Sequence, residues 1–218
     1  MSIAELSLLV NNNFEKPLNE QVRDLKYFGS YLFVNDTSFS PDKSGWYKII
    51  CVGKGGATQI GSEGGNYGGS GGVAISTLNL ISTESYKITI STHQHNASSF
   101  DEKIFAYGGG DGSYSGNGVG GVASGGQFNY NGLSGSSATS SAGADVGVFI
   151  PELMKNKELI TSSTLTGQTY SSTHSISSGF GILGYGGGQG GRKLSQYNSI
   201  LSPISTGCVL IIPLELTE

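Results

Sequence analysis

Three dense glycine runs, residues 53–72, 108–126 and 179–191, constrain what this chain can fold into more than any other feature. Glycine supplies 36 of 218 residues, more than double its usual share of roughly 7%, and it is clustered without a collagen-like period of three. Glycine loses more backbone entropy on ordering than any other residue. Disordered low-complexity loops are therefore the simplest alternative for such runs.

The sequence between the runs argues against disorder. Tyr47-Lys48-Ile49-Ile50-Cys51-Val52 leads into the first run and Val73-Ala74-Ile75 leaves it. Tyr86-Lys87-Ile88-Thr89-Ile90, Lys103-Ile104-Phe105-Ala106-Tyr107 and Cys208-Val209-Leu210-Ile211-Ile212 are short, β-branched or aromatic, and bounded by Gly, Ser or Pro. That is strand chemistry. The chain is 36% hydrophobic and 10% aromatic, more than a disordered chain carries. The expected architecture is an all-β, antiparallel β-sandwich of jelly-roll type with long glycine-rich loops and one short helix.

Charged residues make up 13% of the chain and its net charge is -4. Neither a nucleic-acid interface nor a polybasic membrane anchor is expected at that balance. No stretch approaches the roughly 20 apolar residues of a membrane span. The start, Met1-Ser2-Ile3-Ala4-Glu5, lacks a basic opening and a signal-type apolar core, so synthesis in the cytoplasm without Sec export is expected. Cys51 and Cys208 both sit in apolar strands, where buried reduced thiols are the default reading and a disulfide between them is the alternative.

Two parts are distinguished: an attachment or oligomerisation segment over residues 1–28 and a glycine-rich β-domain over 29–218. The first holds the apolar run Ile3, Leu6, Leu8, Leu9 and Val10, broken by Asn11-Asn12-Asn13, and is too short for a core of its own. In the second, strands are expected over 29–34 and 46–52 as the start of a hairpin or meander. An antiparallel pair is expected over 73–80 and 85–90. A short helix is expected from Phe149, with Pro151 in its first turn and an end near Thr161. Residues 161–178 read as a long Ser/Thr-rich loop. Pro213 suits an edge or strand end, and the two ends of the β-domain are expected side by side.

The order of these parts resembles the glycine-rich domain of phage tail proteins. The likeness is carried by Gly29-Ser30-Tyr31-Leu32-Phe33-Val34, Gly45-Trp46-Tyr47-Lys48-Ile49-Ile50-Cys51-Val52-Gly53, Gly72-Val73-Ala74, Tyr86-Lys87-Ile88-Thr89-Ile90, the glycine runs and the closing Gly207-Cys208-Val209-Leu210-Ile211. It covers residues 29–218. The resemblance implies a non-catalytic receptor-binding adhesin at the tip of a phage tail fibre or phage-tail-like bacteriocin particle. Such a protein would assemble in the bacterial cytoplasm, join other tail proteins, and contact a surface glycan or protein. It also implies that glycine runs stack as polyproline II helices, whereas the interruptions at Glu63, Asn66-Tyr67, Asp111, Tyr114 and Asn117 fit irregular ordered loops equally. A structural tail component that binds no receptor is the alternative function. A homo-oligomer is expected, and a trimer suits a fibre axis.

Aromatics embedded in glycine are the expected receptor-binding residues: Tyr67, Tyr114, Phe128, Tyr130 and Tyr185. Rigid aromatic area among Gly, Ser and Asn is paratope chemistry; the alternative role of each ring is a plug on the glycine layer. His93 and His95 point the same way if extended. Three such pairs around a trimer axis would suit a transition metal, yet a solvated loop is the reading taken, with no metal and no cofactor. Gly116-Asn117-Gly118-Val119-Gly120-Gly121 and the run at 186–191 satisfy G-x-G-x-x-G without the strand-to-helix unit that nucleotide binding needs. Asp111 after three glycines is similar to a calcium β-roll, but no nonapeptide repeat accompanies it. Asp101 and Glu102 are adjacent and would face opposite ways on a strand, so no flanking carboxylate pair is expected. Catalysis has no support in the residues.

Overall fold

The runs between the glycine clusters form strands for the reason their composition gives: β-branched and aromatic side chains alternate between two faces, and the inward face of each sheet packs into a shared core. A computed structural model of the protein describes residues 29–61, 64–93, 96–113, 115–135, 144–145, 150, 160–161, 181–189, 191–193, 199–201 and 204–216. In chain order the strands are β1 (Tyr31–Phe33), β2 (Thr37–Phe39), β3 (Gly45–Val52), β4 (Gln59–Gly61), β5 (Gly64–Asn66), β6 (Val73–Leu80), β7 (Tyr86–Thr89), β8 (Ala97–Phe100), β9 (Ile104–Tyr107), β10 (Ala123–Ser124), β11 (Phe128–Tyr130), β12 (Ile160–Thr161), β13 (Gly181–Ile182), β14 (Gly191–Lys193), β15 (Ser199–Leu201) and β16 (Cys208–Leu216).

Two five-stranded antiparallel sheets face each other. The first runs β1-β16-β3-β6-β11 and the second β10-β9-β8-β7-β2. Three short pairs, β4-β5, β12-β13 and β14-β15, lie outside them. The ends of the β-domain do meet, since β1 pairs with β16 at Tyr31↔Ile211 and Phe33↔Val209. Pro213 falls beyond the stretch of β16 that β1 covers and at the register shift of the β16-β3 ladder, the kind of place in a sheet where proline is tolerated.

Three pairings differ from the sequence expectation. β6 and β7 are not a hairpin: β6 already has β3 and β11 on its two edges, and the turn after Leu80 carries the chain across to the opposite sheet. β1 and β3 are separated by β16, because the closing strand is the most apolar of the three and takes the position with neighbours on both sides. β7 to β10 form a meander in one sheet, in place of the sheet-to-sheet alternation of a jelly roll. The helix expected from Phe149 lies outside the described residues, except that Ile160 and Thr161 pair with Ile182 and Gly181 as strand.

The space between the sheets is filled by alternate residues of both. Tyr47, Ile49, Cys51, Val209 and Ile211 meet Ile88, Phe100, Ile104 and Ala106, all buried. Phe39 closes one side, edge-on to Tyr47 at 6.3 Å, and Tyr86 stacks on Phe100 at 5.4 Å. The opposite face of the first sheet is also apolar: Ile50, Val52, Val73, Ile75, Cys208 and Leu210 are covered by Ile150, Ile182 and Tyr185. A sheet buried on both faces reads as the continuous run Ile49-Ile50-Cys51-Val52. It also separates the cysteines. Cys51 stands opposite Val209, and Cys208 opposite Val52, so the two side chains leave opposite faces of the sheet. Both are free thiols and fully buried.

Candidate functional site

The first glycine run continues directly from β3 and returns into β6, so whatever it builds is fixed to the end of the sandwich. Its backbone hydrogen bonds recur in steps of three. Gly53 N–H donates to Gly72 O at 2.9 Å, Gly56 N–H to Gly69 O at 2.8 Å, and Gln59 then pairs with Asn66 in the β4-β5 ladder. The second run repeats this: Tyr107, Gly110 and Ser113 N–H groups donate to Val122, Val119 and Gly116 oxygens, each at 2.8 Å. Gly72 and Gly69 N–H groups join the two layers through Tyr107 O and Gly110 O, both at 3.0 Å, and Asn66 Nδ2 donates to Ser113 O at the far end. Parallel contacts keep the same step, with Gly109 and Gly112 donating to Lys54 and Ala57, and Gly118 and Gly121 to Tyr67 and Ser70.

Four consecutive residues show the geometry. Gly69, Ser70, Gly71 and Gly72 donate in turn to Gly110, Leu133, Gly186 and Tyr107. The first and fourth thus address one neighbouring segment, and the two between address others. The segments touch at glycine because nothing larger fits. A Cβ on Gly56 would stand 1.9 Å from Gly110 O, and one on Gly118 would meet the same oxygen at 1.9 Å.

Polar side chains pin this lattice where backbone bonds leave gaps. Lys54, 7% exposed, lies 3.7 Å from Asp111 Oδ1, which also accepts the Ala57 N–H at 2.7 Å. Thr58 N–H donates to Gln189 Oε1 at 2.7 Å and Thr58 Oγ1 to Gln189 O, fastening the third run to the first. Asp111→Ala leaves the buried Lys54 ammonium without this carboxylate and the Ala57 N–H without its acceptor. With Asp111 itself partly exposed, the expected loss is about 2–3 kcal/mol, read as a shift in the urea midpoint, and Asp111→Asn is expected to recover part of it through the Ala57 bond.

At the far end of the lattice β14 lies against β4 and β5, and Asn66 at the end of β5 reaches the Ser113–Gly116 bridge. Ser113 and Ser115 are exposed and share a hydroxyl bond at 2.9 Å. Tyr114 lies between them and is itself outside the described residues, as are Glu63 and His95.

The remaining expected site residues are dispersed. Tyr67 is 7% exposed inside the lattice, where burial pushes its phenol pKa up. Tyr185 is 6% exposed beneath the first sheet; burial raises its pKa strongly, and its hydroxyl has no hydrogen-bond partner among the described residues. Both rings are plugs in this conformation, and neither is displayed. Phe128 is 48% exposed and Tyr130 half-buried, two residues apart on the edge strand β11 and therefore on one face. His93 is exposed and contacts Thr92. Among the described residues no cluster of His, Cys, Asp or Glu could hold a metal.

Sequence reading missed Phe105 and Tyr107, a ring pair 6.4 Å apart on the outer face of the second sheet. The alternation Ile104, Phe105, Ala106, Tyr107 was the available signal, because Ile104 and Ala106 occupy the core face. Asp101 and Glu102 form the β8-β9 turn, both at φ 51°, and pair with Lys103 and Lys87. The Gly118 and Gly121 N–H groups are engaged by carbonyls, so this G-x-G-x-x-G segment presents no phosphate cradle. No family model matches the chain, and no curated protein is similar to it in sequence.

Proposed function

We propose that the chain is a non-catalytic receptor-binding adhesin of a phage tail fibre tip or phage-tail-like particle, recognising a bacterial surface glycan or protein. One observation carries the reading: the glycine lattice and the described chain ends lie at opposite ends of the sandwich. β3 begins at Gly45, opposite Leu216 at the end of β16, and finishes where the lattice starts. Gly29 also lies at the Leu216 end, 3.7 Å from Pro213 by its Cβ position. A protein carried at one end and presenting turns at the other is suited to contact something distal.

In this reading the three-residue step is that of polyproline II helices, packed into a slab that only glycine permits. From Gly53 to Gln59 such a segment extends about 19 Å at roughly 3.1 Å per residue. A slab so packed is ordered before binding, which lowers the ordering cost of a contact at its end. Tyr114, between Ser113 and Ser115, is the leading contact residue, with Phe128 and Tyr130 as a flanking patch. Tyr67 and Tyr185 support the scaffold. A homo-oligomer, with a trimer matching a fibre axis, would multiply weak single contacts.

The test is binding of the labelled full chain to intact bacteria from a host panel. Tyr114→Ala is expected to weaken strain-selective binding at least about tenfold, with unchanged thermal stability, and Phe128→Ala to weaken it less. Retention of full binding by the Tyr114→Ala/Phe128→Ala double variant would remove the tip assignment. Absence of binding to every host, with stable association to a tail protein, would replace the adhesin with the structural reading.

A further inference from the structure

Apolar surface on the outer face of the first sheet is covered over only part of its length. Cys208 and Leu210 of β16 lie buried beneath Ile150, Ile182 and Tyr185, and Ile212 is half-buried at the margin of that cluster. Past this margin the same face carries Trp46, 46% exposed, and beside it Leu214, 49% exposed. Leu214 is the additional residue of a β-bulge, since Pro213 stands opposite Tyr47 and Glu215 opposite Trp46. An apolar track that begins under cover and ends with a bare indole invites a second cover.

We propose that residues 3–10 of this chain dock on the Trp46, Ile212 and Leu214 patch. The argument is one of position and chemistry. The chain enters the sandwich at Gly29, beside β16 at Pro213; Pro213 itself faces between the sheets with Tyr47, and Leu214 follows it in the bulge opposite Trp46. Residues 1–28 therefore join the domain at the edge of the bare patch. Their apolar content is concentrated in Ile3, Leu6, Leu8, Leu9 and Val10, and the residues from 11 to 28 give ample reach at roughly 3.3 Å each when extended. Tethering gives the segment an effective concentration of about millimolar order, so even a weak contact is populated. This docking is independent of what the distal turns bind.

Trp46 is the chain's single tryptophan, so its fluorescence reports this patch alone. In the full chain its emission is expected to be blue-shifted and protected from acrylamide. The Leu6→Asp/Leu9→Asp variant is expected to shift emission to the red and raise the quenching constant at least about twofold, with the milder Leu6→Ala/Leu9→Ala between. Asn12→Asp, which adds the same charge beside the apolar run, is expected to leave Trp46 unchanged. Equal quenching in the full chain and both Leu variants would overturn the proposal. Protection that fades on dilution would also overturn it, assigning the cover to a second copy.

Discussion

Gly56→Ala and Gly118→Ala are each expected to destabilise the protein by at least about 3 kcal/mol, more than an ordinary overpacked core position. In both, the new methyl group would stand 1.9 Å from Gly110 O. A side chain could swing away from such a clash. A backbone carbonyl cannot, because Gly110 O also accepts the Gly69 N–H at 3.0 Å while Gly110 N–H holds Val119 O at 2.8 Å. Moving it breaks the lattice on two sides. Gly116→Ala provides the control: nothing lies within 4 Å of its Cβ position, and its cost is expected within about 0.5 kcal/mol. Urea midpoints of the three variants check the prediction. Comparable small losses in all three would mean that the segments are not closely packed in solution. The result bears on function as well, since packed segments that tolerate no methyl group are themselves held in one arrangement.

The strands were legible because their information is local. Tyr47 to Val52, Val73 to Leu80 and the closing β16 declare themselves by β-branched content and by their boundaries. Their partners were not legible. Nothing near Leu80 says that the next strand crosses to the other sheet; that follows from β11 already occupying the free edge of β6. β10 and β11 were hidden inside the second glycine run and its border, where two or three paired residues give no periodic signal. The lattice left a trace that a search for a collagen repeat passes over. Gly53 and Gly56, Gly69 and Gly72, Gly109 and Gly112, Gly118 and Gly121, Gly132 and Gly135 are all spaced by three, but only within each segment. Which segments meet is long-range information. For the same reason the sequence left open whether Tyr67 and Tyr185 are displayed or plug the glycine layer, and both are buried: glycine around a tyrosine signals close backbone approach as readily as an open loop. Tyr185, two residues after Leu183, had apolar company that pointed inward.

Alkaline pH is expected to unfold the protein through its two thiols. Burial pushes the pKa of Cys51 well above its ordinary value, and that of Cys208 likewise, with neighbouring Cys51 adding to the rise. In the unfolded chain both titrate near 8.5. A group whose folded pKa is raised contributes its full stability below the unfolded pKa. That contribution is lost as pH rises above it, because only the unfolded chain can release the proton. Each thiol then removes up to about 1.4 kcal/mol per pH unit for as long as its folded form keeps the proton, so the two together steepen the decline. Tyr31 adds to the loss only above pH 10, since burial and its hydrogen bond to Asp42 raise its pKa to about 12. Tyr185, buried without a partner among the described residues, acts in the same direction. The order of onset separates the causes. A Cys51→Ala/Cys208→Ala variant is expected to start less stable from lost packing, yet to hold a nearly flat stability from pH 8.5 to 9.5, where the parent already declines. An identical slope in both proteins would place the alkaline limit elsewhere. A slope halved by either single substitution would locate one full thiol contribution on each face of the first sheet, as their burial on opposite sides requires.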